Sequence, residues 1–368
     1  MKARVLCARA LFLCLCLSPC AFGPAPSAAQ AAAWERQRTG TFAWLHAVFF
    51  VDERRGWAAG SKGALLSTAD GGATWERRKP PTEDAVRDIF FHDAETGWLV
   101  CERSMFKPME KDESVSYLLK TTDGGANWSR VEVTRGADVD LKLAGLHFAD
   151  REHGWVFGEM GALFFTGDGG GSWARQRVPT KHLLLGATFL DAQTGWLSGG
   201  GMTVLKTTDG GASWRAGTVF LPAEVEGAQE PRATSPGPGE PNWNESRVVG
   251  GRRLNAVWFA TPGRGWAVGG EGVIITTDDG GRTWRPQRSG VGDDLHDVRF
   301  FNEAEGWAVG RGGATLHTTD GGRTWADAKR VTPHALERLY TVGRRAWAVG
   351  FGGTIVALKF EGGGSRDE

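Results

Sequence analysis

One eight-residue pattern limits the folds open to this chain. (Ser/Thr)-x-Asp-Gly-Gly-x-(Ser/Thr/Asn)-Trp occurs six times, around Asp70, Asp123, Asp168, Asp209, Asp279 and Asp320, and closes on Trp75, Trp128, Trp173, Trp214, Trp284 and Trp325. Upstream of each stands a Gly-Trp pair, at Trp57, Trp98, Trp155, Trp196, Trp266 and Trp307; a seventh tryptophan, Trp347, follows Ala346 with no box after it. The Trp-to-Asp separation is 13 residues in every unit but the second, where it is 25. Seven residues before each tryptophan lies an aromatic: Phe50, Phe91, Phe148, Phe189, Phe259, Phe300 and Tyr340. An aromatic repeating in register marks a repeated core contact.

The uninterrupted period of 41 residues, with short apolar runs broken by glycine, fits one four-stranded propeller blade. Strand a ends at the aromatic, Gly-Trp opens strand b (307–309), a glycine turn leads to strand c (314–318), and the box turns the chain into strand d, which begins at its tryptophan. The seventh unit, 336–360, has strands a to c only. Ala33-Trp34-Glu35-Arg36 matches Thr74-Trp75-Glu76-Arg77, the start of a strand d. The missing strand therefore comes from the other end of the chain and closes the ring, leaving no large open sheet edge. The expectation is an all-β, seven-bladed β-propeller of four-stranded blades over residues 32–360.

Composition agrees: 54 glycines supply turns, 17 tryptophans supply wedges, and 41% hydrophobic residues suffice for a core. With no net charge, the chain has the profile of neither a disordered nor a nucleic-acid-binding protein. Residues 1–31 read as a signal peptide: Lys2, Arg4 and Arg9 precede the apolar run 11–17, and Ala29-Gln30-Ala31 fits a small-x-small cleavage site. The alternative is a lipid anchor at Cys20, which Pro19 disfavours. Export to a periplasm, a thylakoid-lumen equivalent or the medium follows. Four cysteines lie in this leader and Cys101 alone remains, so no disulfide framework or thiolate metal site is expected. The tail 361–368 is expected to be disordered.

The box reads as a hairpin turn. An aspartate hydrogen-bonds backbone N–H groups two residues on, and glycine takes positive φ at no steric cost. A calcium loop needs several oxygen ligands at alternating positions, and a phosphate loop needs a helix N-terminus behind it. Neither is supplied, so the six aspartates are assigned a structural role and no metal or cofactor is expected.

These marks resemble the BNR/Asp-box propellers, a superfamily that includes sialidases and sortilin-like receptors. The fuller pattern Gly-Trp-Ala-Val-Gly-x-x-Gly…Thr-Thr-Asp-Gly-Gly-x-Thr-Trp more closely resembles the photosystem II stability/assembly factor family, over about residues 33–360. The resemblance implies an exported, non-enzymatic propeller that helps assemble a membrane protein complex in photosynthetic organisms. Its partner would be a protein client, such as a membrane-complex subunit, and the propeller itself a monomer.

Two candidate partner surfaces follow from the blade scheme. In that scheme the a–b and box turns share one face, while the b–c turns and blade-to-blade connections share the other. Insertions 101–118 and 218–253 interrupt the repeat on the second face, and loops on a rigid scaffold favour binding there. On the same face His46, Arg87, Asp88, Asn255, His296, Asp297 and Glu337 are expected to ring the channel mouth, where a water-filled polar channel is the plainer alternative. On the opposite face Arg54, Arg55, Arg344 and Arg345 occupy a–b turns of the first and last blades, neighbours once the ring closes, and form a patch for an acidic segment. A sialidase is disfavoured, because Tyr117 and Tyr340 are the only tyrosines and no Phe/Tyr-Arg-Ile-Pro motif precedes the first box. A glycosidase or carbohydrate-binding propeller using Asp88, Asp297 and Glu337 is the alternative function, since two carboxylates flanking a bond suffice for hydrolysis.

Overall fold

The computed structural model describes residues 32–104, 113–220 and 252–360. The expected leader, its Cys20 anchor alternative, the tail and the centres of both insertions lie outside these residues.

Seven antiparallel sheets follow one another along the chain. Blade 1 shows the plan, with strands Leu45–Phe50, Gly56–Gly60, Leu65–Thr68 and Glu76–Arg77 from the channel outward. In blade 7 the order is Leu336–Val342, Arg345–Gly350, Thr354–Phe360 and then Ala32–Arg36. The N-terminal strand thus closes the ring as the repeat requires. Strand d is short and in most blades starts just after its tryptophan rather than on it, as at Ala326–Asp327.

The two faces of the ring are fixed by backbone contacts. Each box turn hydrogen-bonds the a–b turn of its own blade, as Gly71 N–H does to Arg54 O (2.7 Å) and Gly321 N–H to Ala304 O (2.8 Å). On the other face each b–c turn abuts the connection leaving its blade. A Cβ at Gly63 would lie 1.7 Å from Thr82 O, and Gly63 has φ +66, so only glycine fits there.

The core is a set of blade-to-blade seams. The Gly-Trp tryptophan of one blade lies against the register phenylalanine of the next: Trp57 on Phe91, Trp155 on Phe189, Trp196 on Phe259, Trp266 on Phe300 and Trp347 on Phe50 at centroid distances of 3.6–3.8 Å, and Trp98 on Phe148 at 5.6 Å. The box tryptophan then meets that phenylalanine edge-on, as Trp75 does Phe50 (85°). Burying a ring of this size removes roughly 150–250 Å² from water, an upper bound of about 4–6 kcal/mol per seam.

Three expectations need correction. Tyr340 is not in the phenylalanine register: it pairs with Trp347, whereas Phe300 pairs with Gly306, the residue before Trp307. The a–b turn of blade 7 is one residue shorter, so Thr341 holds the register position. The blade 2 insertion is narrower than 101–118, because Cys101 and Glu102 continue the sheet opposite Tyr117 and Ser116. The long insertion begins as structure, with Thr218–Val219 adding a fifth, parallel strand to blade 5 beside Thr283 and Trp284.

Candidate partner-binding surfaces

The Asp box is closed by its own hydrogen bonds. Thr318 Oγ1 donates to Asp320 Oδ1 (2.8 Å) and accepts from Gly322 N–H (2.8 Å). Asp320 Oδ1 accepts from Thr324 N–H (2.9 Å), and Oδ2 accepts from the Thr324 hydroxyl (2.7 Å). The same set recurs around Asp70, Asp123, Asp168, Asp209 and Asp279. The carboxylate therefore spans to the residue four positions on, and the threonine hydroxyl, not the aspartate, holds the second glycine. This corrects the two-residue reach read from the sequence. The hydrogen bonds from Thr324 hold the Asp320 carboxyl down at about 2. Both glycines lie at positive φ, 72° and 83° at Gly321 and Gly322. The described residues contain no group of three or more His, Cys, Asp or Glu placed to hold a metal ion.

At the channel, every innermost strand has a bulge after its first residue, or after its second, Val86, in blade 2. The residue past the bulge is Ala47, Asp88, Gly145, Gly186, Ala256, Asp297 and Arg338 in blades 1 to 7. Asp88 Oδ2 accepts from Leu146 N–H of blade 3 (3.0 Å), and Asp297 Oδ2 accepts from Leu339 N–H of blade 7 (3.0 Å). Each also takes the next N–H of its own strand. Arg338 of blade 7 reaches past the small Ala47 to within 3.8 Å of Asp88, and Arg299 lies 3.5 Å from Asp297. Burial pushes the Asp88 carboxyl up, against the opposing charge of Arg338. These two carboxylates are committed to hydrogen bonds that join neighbouring blades. Arg338 was missed in the sequence because the one-residue slip at Tyr340 placed Leu336 and Glu337 in its frame.

The residues one step earlier form the mouth proper. Asn255 donates to Leu295 O (2.7 Å), His296 Nδ1 lies 3.0 Å from Leu336 O, and Glu337 accepts from the Trp44 indole (3.1 Å), each across a seam. Arg87 pairs with Glu102 (2.6 Å), which also meets Lys142 at 3.3 Å. Burial, then the nearby Arg87 charge, holds the His46 imidazole at about 4, so it is neutral at pH 7.

On the opposite face ring closure sets the two arginine pairs side by side. Arg345 reaches Glu53 of blade 1 (3.7 Å), Arg55 pairs with Asp52 in its own turn (2.9 Å), and Arg344 leans toward Glu305 of blade 6 (3.9 Å). Arg54 is exposed. The cluster thus carries its own carboxylates, which order the guanidinium groups and reduce its net charge.

The comparisons with known proteins concern both the fold and the family. The profile of the family described as "Photosynthesis system II assembly factor YCF48" matches residues 26–86, 79–182 and 238–358. A structure described as "YCF48 bound to D1 peptide" is 20% identical, covers 88% of this chain and 96% of its own, and superposes with a TM-score of 0.64. YCF48 from Cyanidioschyzon merolae gives 19% identity, 88% and 98% coverage, and 0.65. A GH74 xyloglucanase from Xanthomonas campestris gives 14%, 88% and 53%, and 0.58. At these identities the likeness of the structures is one of fold alone. No curated protein matches the sequence. No helix among the described residues is long and apolar enough to cross a membrane. With the box, the Gly-Trp mark and the profile agreeing over most of its length, the chain belongs to the photosynthesis system II assembly factor YCF48 family.

Proposed function

We propose that this propeller is an exported, non-enzymatic scaffold that binds a segment of a protein client and aids assembly of a membrane protein complex. Family membership carries the reading, and the binding of a D1 peptide by a YCF48 structure gives it a precedent for a peptide client. The arginine cluster of blades 7 and 1 is the docking surface that its chemistry favours for an acidic segment: guanidinium groups present planar, bidentate donors to carboxylates. The polar mouth ringed by His46, Arg87, Asn255, His296 and Glu337 is the second surface, although most of its groups are engaged across seams. The chain acts as a monomer, with export placing it in a periplasm or lumen.

Affinity capture from the native envelope fraction tests this, with mass spectrometry of the bound proteins. Recovery of membrane-complex subunits, lost when Arg54→Glu is combined with Arg344→Glu, supports the reading. Capture unaffected by that pair removes the arginine cluster as the surface. An empty capture removes the client role.

A further inference from the structure

On the b–c face, among turns that also carry Glu159, Glu271, Asp293 and Asp294, one repeated position is mostly basic. The fourth residue after each outer-strand tryptophan is Arg38, Lys79, Glu132, Arg177, Thr218, Arg288 and Lys329, so five of seven blades place a cation there. The residue before it hydrogen-bonds the start of strand c, as Arg78 N–H does to Leu65 O and Gln37 N–H to Ile355 O. These cations therefore stand where the outer strands run out onto the b–c face. All five are exposed, and none forms an ion pair among the described residues.

Most of the large exposed apolar side chains gather on the same face, Leu190 being on the other. Phe42 is 94% exposed, Trp44 42% and Phe351 49%, and Trp44 and Phe351 meet edge-on at 5.6 Å where the blade 7 turn abuts the connection into blade 1. Across the ring Met160, 56% exposed, caps the b–c turn of blade 3. The Trp44 indole is pinned by Glu337, so its ring stays turned outward. Trp44 and Phe351 stand at 76° to each other, which suits insertion of ring edges among chains better than stacking on a flat sugar.

We propose that the b–c face docks on an anionic lipid bilayer, with Phe42, Trp44 and Phe351 entering the headgroup region and the cation ring meeting the lipid phosphates. Aromatic side chains favour that interfacial depth, and apolar groups with a basic surround bind anionic leaflets through both terms together. The channel axis then stands along the membrane normal, with the Asp-box face turned away from the bilayer. This inference does not depend on the arginine cluster, which lies on the opposite face, and it leaves that cluster rather than the polar mouth as the surface open to a client.

The test is vesicle flotation of the full chain with phosphatidylcholine alone and with phosphatidylcholine mixed with phosphatidylglycerol. The expected result is partition onto the anionic vesicles only, weakening as salt rises from about 0.1 M to about 1 M and the screening length falls from about 10 Å to about 3 Å. Phe42→Asp with Phe351→Asp should reduce partition at least tenfold, and Lys79→Glu with Lys329→Glu should reduce its salt dependence. Leu190→Asp, on the other face, should leave it unchanged, as should Arg54→Glu with Arg344→Glu. Thermal melts of each variant confirm folding, and all variants share every other residue with the wild type. Equal partition of the Phe42/Phe351 variant and the wild type overturns the proposal, as does equal binding to neutral vesicles or none to either. A loss of protein capture without a loss of vesicle binding assigns the patch to a protein and overturns the lipid reading.

Discussion

At the scale of single residues, the box aspartate exchanges water for a closed set of donors. Unfolded carboxyls titrate near 4, whereas Asp70, Asp123, Asp209, Asp279 and Asp320 are held at about 2. A depressed folded pKa gives stability that is fully present above the unfolded value and lost as pH falls through the folded one. The urea midpoint should therefore be flat above about pH 4 with respect to these groups, and fall between about pH 4 and about pH 2. Asp320→Asn should lower the midpoint at pH 7 and flatten that acid limb; an acid limb identical to wild type would show that the carboxylate charge is not what the turn uses. The tryptophans divide by burial. Trp196 is fully buried, stacks on Phe259 and donates to Gly280 O (3.0 Å), so Trp196→Ala should cost about 3–5 kcal/mol in urea unfolding. Trp325 is only partly buried, and its alanine variant should cost clearly less.

At the scale of elements, six seams are built alike and one is not. Between blades 6 and 7 the register position holds Thr341, so Trp307 has no phenylalanine to lie on and stacks instead on His317 of its own blade, at 4.0 Å. Trp347 donates to Gly71 O of the blade 1 box (2.9 Å), whereas Trp307 Nε1, like that of Trp98 and Trp155, has no hydrogen-bond partner among the described residues. Trp34, carried in by the N-terminal strand, fills the gap edge-on at 5.4 Å. This seam should open first. Trp34→Ala should raise amide hydrogen exchange in blades 6 and 7 well before blades 3 to 5, since low-stability units open locally; uniform acceleration around the ring would mean that closure is not local. Both the strand count and the closure were legible in the sequence, because Gly-Trp and the box recur with a fixed period and Ala33-Trp34-Glu35-Arg36 repeats a strand-d start. The weak seam was not, because Tyr340 satisfies the spacing rule while the shortened turn, Gly343-Arg344, moves it one place along the strand. In a sheet one place turns a side chain to the other face, so the Tyr340 ring meets Phe49 of blade 1 (4.7 Å) and Arg338 meets Asp88 instead. The candidate mouth was legible as a list of polar positions. That Asp88 and Asp297 are clamps between blades was not, since it depends on bulges that no spacing reveals.

At the scale of the molecule, the ring separates two chemistries by the thickness of a blade. The Asp-box face carries arginines that meet Asp52, Glu53 and Glu305, and the b–c face carries exposed aromatics and five cations that form no ion pair among the described residues. A rigid sheet stack cannot bring both faces to one flat surface, so a bilayer and a client segment on opposite faces are held apart along the channel axis. The two surfaces should then fail independently. Arg54→Glu with Arg344→Glu should weaken client capture severalfold while vesicle flotation stays at the wild-type level; Phe42→Asp with Phe351→Asp should do the reverse. The four-fold variant should show the product of the two losses, because sites this far apart on a rigid frame add. Loss of capture in the Phe42/Phe351 variant would place the client on the membrane-facing side, in contact with the aromatic patch, and the arginine cluster would then have no assigned partner. Measuring capture and flotation on the same four preparations distinguishes these cases without knowledge of which subunit the client is.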